Sequence, residues 1–470
     1  MEKSNLMAVL RSLSRQEQRE FRKWAQSPAH NLRQDVVDLI DYLLAGQHLA
    51  ADKFLAKDRV FEAVYPGQAY NDAALRQVMH FLLKLAENFL LYRELLEDEV
   101  RAQVVLARVY RKRKLPKLYS KAMEAGMEIQ QRQPYRNHRY YENEYLLQME
   151  RYAYLSGLGR NVPLNLQEVS DANDLSFLAN KLQLSCMMLS HQAVYKTAYH
   201  FRLLPEVIGF VEANPNYLSH PAVAIYYYSY MAINNPGQTA FFQQLKSHLA
   251  SHAHLFPPQE MRVIYLLSIN YCIGRINAGE GGFYREVFDL FNQGMQQQYF
   301  LENGVLSRFS FSNAVIAGLN LREYDWVRQF IRDNSPCLEE KHRRNYVDFY
   351  TARLHYEQRE YREAMKLFAH FEYDDILMNL QAKTMLLKMY FELDESLALD
   401  SLIDSMAAYI QRKKLMGYHK DIYRNLLLYT RRILRINPGN PDQVARLRSE
   451  IERAEPLMEK KWLLSQIDNL

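Results

Sequence analysis

The block Tyr284-Arg285-Glu286-Val287-Phe288-Asp289-Leu290-Phe291 returns as Tyr361-Arg362-Glu363-Ala364-Met365-Lys366-Leu367-Phe368, with five of eight residues kept 77 positions later. Between the two, Arg322-Glu323-Tyr324 matches Arg359-Glu360-Tyr361, and Val327 and Ile331 take equivalent apolar places, so the interval divides into steps of 40 and 37 residues. Self-similarity at such a period is the signature of stacked supersecondary units. Each block sets an aromatic residue at i and apolar residues at i+3 and i+7. That spacing turns one side of a short helix inward and leaves Arg and Glu to water. A lone helical hairpin cannot bury such a side, whereas stacked hairpins can.

Composition favours helices over sheets. Gly (16) and Pro (15) are scarce in 470 residues, which leaves few turns for short strands, and helix-compatible residues fill most of the chain. A hydrophobic share of 48% is ample for packing, while the length exceeds what one core usually organises. The expected fold class is all-α.

Along the chain, Ser14 and Glu17 form a Ser-x-x-Glu capping box that opens a helix carrying Phe21 and Trp24 and ending at Ser27-Pro28. Val36, Ile40, Leu43 and Leu44 lie on one stripe that stops at Gly46. After Pro66-Gly67, Asn71 caps a longer helix in which Leu75, Val78, Met79, Leu82 and Leu83 follow helical spacing. Gly157, Gly159, Pro163 and the polar series Ser170 to Asp174 then interrupt the periodicity. We therefore expect an N-terminal helical module at 1–158 and a repeat array at 176–470. Asn214-Pro215, Asn235-Pro236-Gly237 and Pro257-Pro258 divide the early part of that array into short helices. Leu457, Lys460, Lys461, Trp462, Leu464 and Ile467 form a last amphipathic helix, expected to shield the open end of the stack.

The segment Tyr346 to Phe368 resembles a tetratricopeptide repeat. Ala352, Tyr361, Ala364 and Phe368 stand where that family has a small residue, an aromatic, a second small residue and a bulky one, while Tyr356 falls one position late for the first aromatic. The repeats are longer than the family's usual unit, and no Gly stands where the family often has one. The likeness is strongest over 260–415. It implies a right-handed superhelical stack of antiparallel helix pairs, a TPR-like α-solenoid, whose concave face binds a segment of a partner protein. By that resemblance Arg353 and Glu357, on the first helix of the best repeat, are candidate partner-binding residues, against the alternative that they are ordinary exposed charges. The start of the chain also looks like a group of uncharacterised bacterial repeat proteins, a likeness that implies no activity.

No motif for chemistry survives inspection. Gly274 to Gly279 has the spacing of a phosphate loop, but Glu280 and Gly281 follow where Lys and Ser or Thr are needed; a connection between two helices is the reading for this run. His248, His252 and His254 set imidazoles a helical turn apart without a nearby acidic residue to complete a zinc site. Cys186, Cys272 and Cys337 lack metal or disulfide spacing. We expect a non-enzymatic protein with no cofactor and no metal, in a reducing, cytoplasmic setting.

The short apolar run Leu6 to Leu10 is too little for a signal-peptide core. Ala222 to Ile233 is too short to span a bilayer, which needs roughly 20 apolar residues, so no membrane insertion is expected. Net charge is only +5, from 59 basic and 54 acidic residues. The densest charge feature is Arg101 to Lys121, with no acidic residue and a centre at Arg111, Lys112, Arg113 and Lys114. It reads either as a solvated helix end and turn or as a patch for nucleic acid, the rival partner class. Two Tyr-rich stretches, 135–145 and 226–230, serve either packing or ligand contact.

Overall fold

The computed structural model describes residues 1–195, 197–368, 376–412 and 417–470. Residues 196, 369–375 and 413–416, which fall within the expected array, lie outside that description. Among the described residues there are 23 α-helices and a single sheet of two two-residue strands, Leu301–Glu302 antiparallel to Val305–Leu306. The fold is all-α. No described helix is long and apolar enough to cross a membrane.

The chain divides into two compact units, Met1–Ser185 with Phe201–Tyr226 and His254–Phe256, and Cys186–His200 with Tyr227–Ala253 and Pro257–Leu470. In the first, the helices Asn5–Ser12, Arg15–Gln26, Gln34–Leu43 and Lys57–Val64 share one core with Asp72–Glu97. The capping box is formed as the sequence indicates: Ser14 N–H donates to the Glu17 carboxylate at 2.7 Å, and Glu17 N–H donates to Ser14 Oγ at 3.3 Å. Asn71 accepts from the N–H groups of Ala73 and Ala74. The long helix that follows buries Leu75, Val78 and Leu82 on the expected stripe. Beyond it, Glu99–Lys112, Pro116–Arg132 and His138–Leu155 pack on one another around Val104, Tyr119, Met123 and Leu147. One local expectation fails: Ser170 to Asp174 lie inside the helix Leu166–Val194, and the break is confined to residues 156–165. A polar run on the outer side of a helix breaks apolar periodicity without breaking the helix.

In the second unit, from Pro258–Asn277 onward, each helix packs on its neighbour in sequence, and Glu340–Glu357 also packs on Arg308–Asn320 and Ile376–Glu392. The repeated blocks are the helices Phe283–Gln296, Tyr324–Asn334 and Tyr361–Phe368. Within this unit, hydrogen bonds between successive helix pairs recur at similar separation: Lys246 to Glu286 across 40 residues, Arg285 to Glu323 across 38, Trp326 Nε1 to Asn292 across 34 and Tyr324 to the Glu357 carbonyl across 33. Aromatic rings continue the ladder, with Phe288 against Trp326 at 4.6 Å and Phe311 against Tyr350 at 5.9 Å. Ala352, Ala364 and Phe368, singled out from the sequence, are buried. At the far end Trp462, Leu463 and Ile467 of Lys460–Asp468 enter a core with Ile403, Met406 and Leu426. Leu457 precedes that helix.

The same turn closes one hairpin after another. After Arg308–Asn320, Arg322 takes a left-handed φ of 60° and Glu323 N–H donates to the Gly318 carbonyl at 2.9 Å. Arg359 (φ 61°) with Glu360 to His355, and Asp394 (φ 60°) with Glu395 to Tyr390, repeat it. This six-to-one bond is the Schellman closure, which satisfies a helix's last free carbonyls. Glu280 N–H closes on Arg275 in the same way, with Gly279 at φ 97°. The Gly-rich run thus serves as a helix connection, although Gly274 itself lies within Pro258–Asn277.

Gly318 lets the following helix lie close: a Cβ there would sit 2.6 Å from Val327 Cγ2, on a fully buried side chain. Gly318→Ala should therefore lower stability by about 1–3 kcal/mol through overpacking. Thermal unfolding checks this, and adding Val327→Ala should recover part of the loss.

Candidate functional site

The array carries a polar cleft at the turns. Arg322, Tyr324, Tyr356, Glu357, Gln358, Arg359, Tyr361 and Glu392 line a cavity of about 600 Å³. Its residues come from three successive Schellman turns and the helix ends beside them. Arg322 and Arg359 stand at the left-handed positions of adjacent turns, both exposed, and among the described residues neither has a carboxylate within ion-pair distance. Glu392 is held in place: it accepts from Tyr361 Oη and, at 2.7 Å, from Trp462 Nε1. Tyr356 stacks on Tyr361 at 5.6 Å, and Lys388 Nζ lies 5.2 Å over the Tyr356 ring. Burial, then the neighbouring Glu392, pushes both phenols above their ordinary range. They remain neutral hydrogen-bonding groups at physiological pH. The cleft thus offers these two guanidiniums, the exposed carboxylate of Glu357 and phenolic hydroxyls, a set suited to charged side chains and peptide groups.

Of the two residues taken from the family resemblance, Glu357 lines this cleft and Arg353 does not. Arg353 is half-buried one helical turn earlier. Sequence reading missed Arg322 and Arg359, although their shared Arg-Glu-Tyr context marks them as equivalent positions.

The basic segment is split by the fold. Glu150, its side chain only 2% exposed, receives Arg111 Nε at 2.6 Å and Arg108 Nε at 3.4 Å. Arg101 is engaged by Glu142 at 2.7 Å and by Asp98 at 3.2 Å. Lys112, Arg113 and Lys114 stay exposed at the turn, with no ion pair among the described residues. Lys114 there adopts the left-handed φ of 56°, and Leu115 N–H closes on the Tyr110 carbonyl at 3.0 Å.

His248 and His252 stack at 5.5 Å, with Tyr228 5.4 Å from the first ring, while His254 is exposed. Burial, followed by His252, lowers the pKa of His248. Among the described residues no group of three His, Cys, Asp or Glu is placed to hold a metal ion. Tyr226, Tyr227 and Tyr141 are buried, whereas Tyr135 is exposed. The chain matches no protein-family model, no curated protein and no solved structure.

Removing Arg111 should test its structural role. Arg111→Met leaves a buried carboxylate with only the longer Arg108 contact, at an expected cost of about 3 kcal/mol. Glu150→Gln should cost less, because both arginines can turn to water. Chemical denaturation of the two variants measures the asymmetry.

Proposed function

We propose that the chain is a non-enzymatic scaffold of tetratricopeptide type, a right-handed superhelical stack of antiparallel helix pairs that receives a segment of a partner protein. The observation that carries the reading is the cleft at the turns, where two guanidiniums 37 residues apart in sequence, without an ion pair among the described residues, and the Glu357 carboxylate line one cavity. Adjacent repeats presenting equivalent side chains give an extended ligand regularly spaced contacts, which is how repeat surfaces read a segment. An acidic or mixed-charge peptide fits, because Arg holds carboxylates in two-point fashion. The three cysteines form no disulfide among the described residues and two of them are buried, which fits a reducing compartment such as the cytoplasm.

The rival, a nucleic-acid-associated regulator using residues 101–121, has less support. Arg101, Arg108 and Arg111 are occupied by acidic partners, which removes three of its cations.

Arg322→Glu with Arg359→Glu should weaken a protein partner captured by the intact chain by at least about tenfold, a typical loss for charges facing a ligand. Both residues are exposed, so the melting curve should stay close to wild type. Titration of the recovered partner against both proteins is the measurement, and equal affinity would remove the cleft from the account.

A further inference from the structure

The end of the bundle formed by Glu99–Lys112, Pro116–Arg132 and His138–Leu155 combines free cations with exposed leucines in a way that the partner cleft does not explain. Arg111 pairs with Glu150, and the Tyr119 ring stacks on Tyr154 at 3.9 Å. Those two contacts bring the chain reversal at 112–118 beside the end of the third helix. Arg151 is exposed there and acts electrostatically on Tyr119. No Asp or Glu occurs in residues 101–123 or 151–167, and Glu150 is buried under two arginines. Lys112, Arg113, Lys114, Lys117 and Arg151 are all exposed without an ion pair among the described residues. Among them protrude Leu115 at 40% exposure, Leu118 at 43% and, just beyond the third helix, Leu158 at 54%.

We propose that this end docks the protein peripherally on an anionic phospholipid bilayer, with the cations over the headgroups and the leucines dipping between them. Charge complementarity selects an anionic surface, since the end exposes several cations while its Glu150 is buried. Its shape selects a flat one: a chain reversal projects outward and cannot enclose a peptide. The leucines distinguish lipid from nucleic acid. Phosphates gain nothing from Leu115 or Leu118, and base stacking needs free aromatic faces, whereas Tyr119 is buried against Tyr154. Cations interleaved with apolar side chains are what an interfacial contact requires.

The test uses the full chain and sedimentation with vesicles of phosphatidylcholine alone or mixed with phosphatidylserine. The expected result is binding to the mixed vesicles only, weakened by salt. The combined variant Lys112→Glu, Arg113→Glu, Lys114→Glu, Lys117→Glu should lose at least about a hundredfold in affinity, since each cation contributes about fivefold near such a surface. Leu115→Ser with Leu118→Ser should lose about tenfold on vesicles while keeping any binding to a short DNA or RNA oligonucleotide. All six side chains are exposed, and a thermal melt confirms that each variant is folded. Absence of pelleting at low salt overturns the proposal, as does binding that survives charge reversal. Binding that ignores the leucines and is competed by oligonucleotide also overturns it, in favour of a nucleic-acid interface.

Discussion

The helix Tyr361–Phe368 is eight residues long, far below the roughly 12–15 residues at which a helix begins to hold in water unaided. It exists because Ala364 and Phe368 are buried where it meets Glu340–Glu357 and Ile376–Glu392. A fully buried Phe contributes about 1.5–3 kcal/mol, more than the helix's own propensity supplies. Every short helix of the array is under the same constraint, so none is stable without its neighbour. Stability of this kind is local and propagates, with each unit holding the next. The similar separation of the hydrogen bonds between successive helix pairs expresses that dependence in sequence.

Much of this was legible beforehand, and for a physical reason. Apolar spacing at i, i+3 and i+7 is forced on any short helix with one buried side, and the helices Phe283–Gln296, Tyr324–Asn334 and Tyr361–Phe368 fall on the repeated blocks. Caps are equally local: Ser14 with Glu17 and Asn71 act within three residues of themselves. What could not be read depends on distance. Arg111 meets Glu150 across 39 residues, and nothing in Arg111-Lys112-Arg113-Lys114 says which cation has a partner. The cleft was half legible. Glu357 was named from the first helix of the best repeat, but Arg353 is not among the residues that line the cavity, and the arginines that line it sit in turns.

Those turns were hidden because their chemistry is unusual. A left-handed residue after a helix is ordinarily Gly or Asn, since other side chains crowd the backbone there at a cost of about 1–2 kcal/mol. Here Arg322, Arg359 and Lys114 occupy such positions, so the usual mark of a helix end is missing. The Schellman hydrogen bonds offset that cost by satisfying carbonyls that would otherwise be unpaired. Gly279 shows the conventional solution in the same array.

A strained position that keeps a long cation where Gly is easier asks for a use, and its location supplies one. The left-handed residues Lys114, Arg322 and Arg359 at these chain reversals are all exposed. Arg322 and Arg359 line a shared cleft, and Lys114 stands at a bundle end whose Glu150 is buried. Three arginines of Glu99–Lys112 meet a different fate: Arg101 pairs with Glu142, and Arg108 and Arg111 with Glu150, on the adjacent helix. Among the described residues, the turns and the helix ends beside them thus carry the unpaired cations of both surfaces.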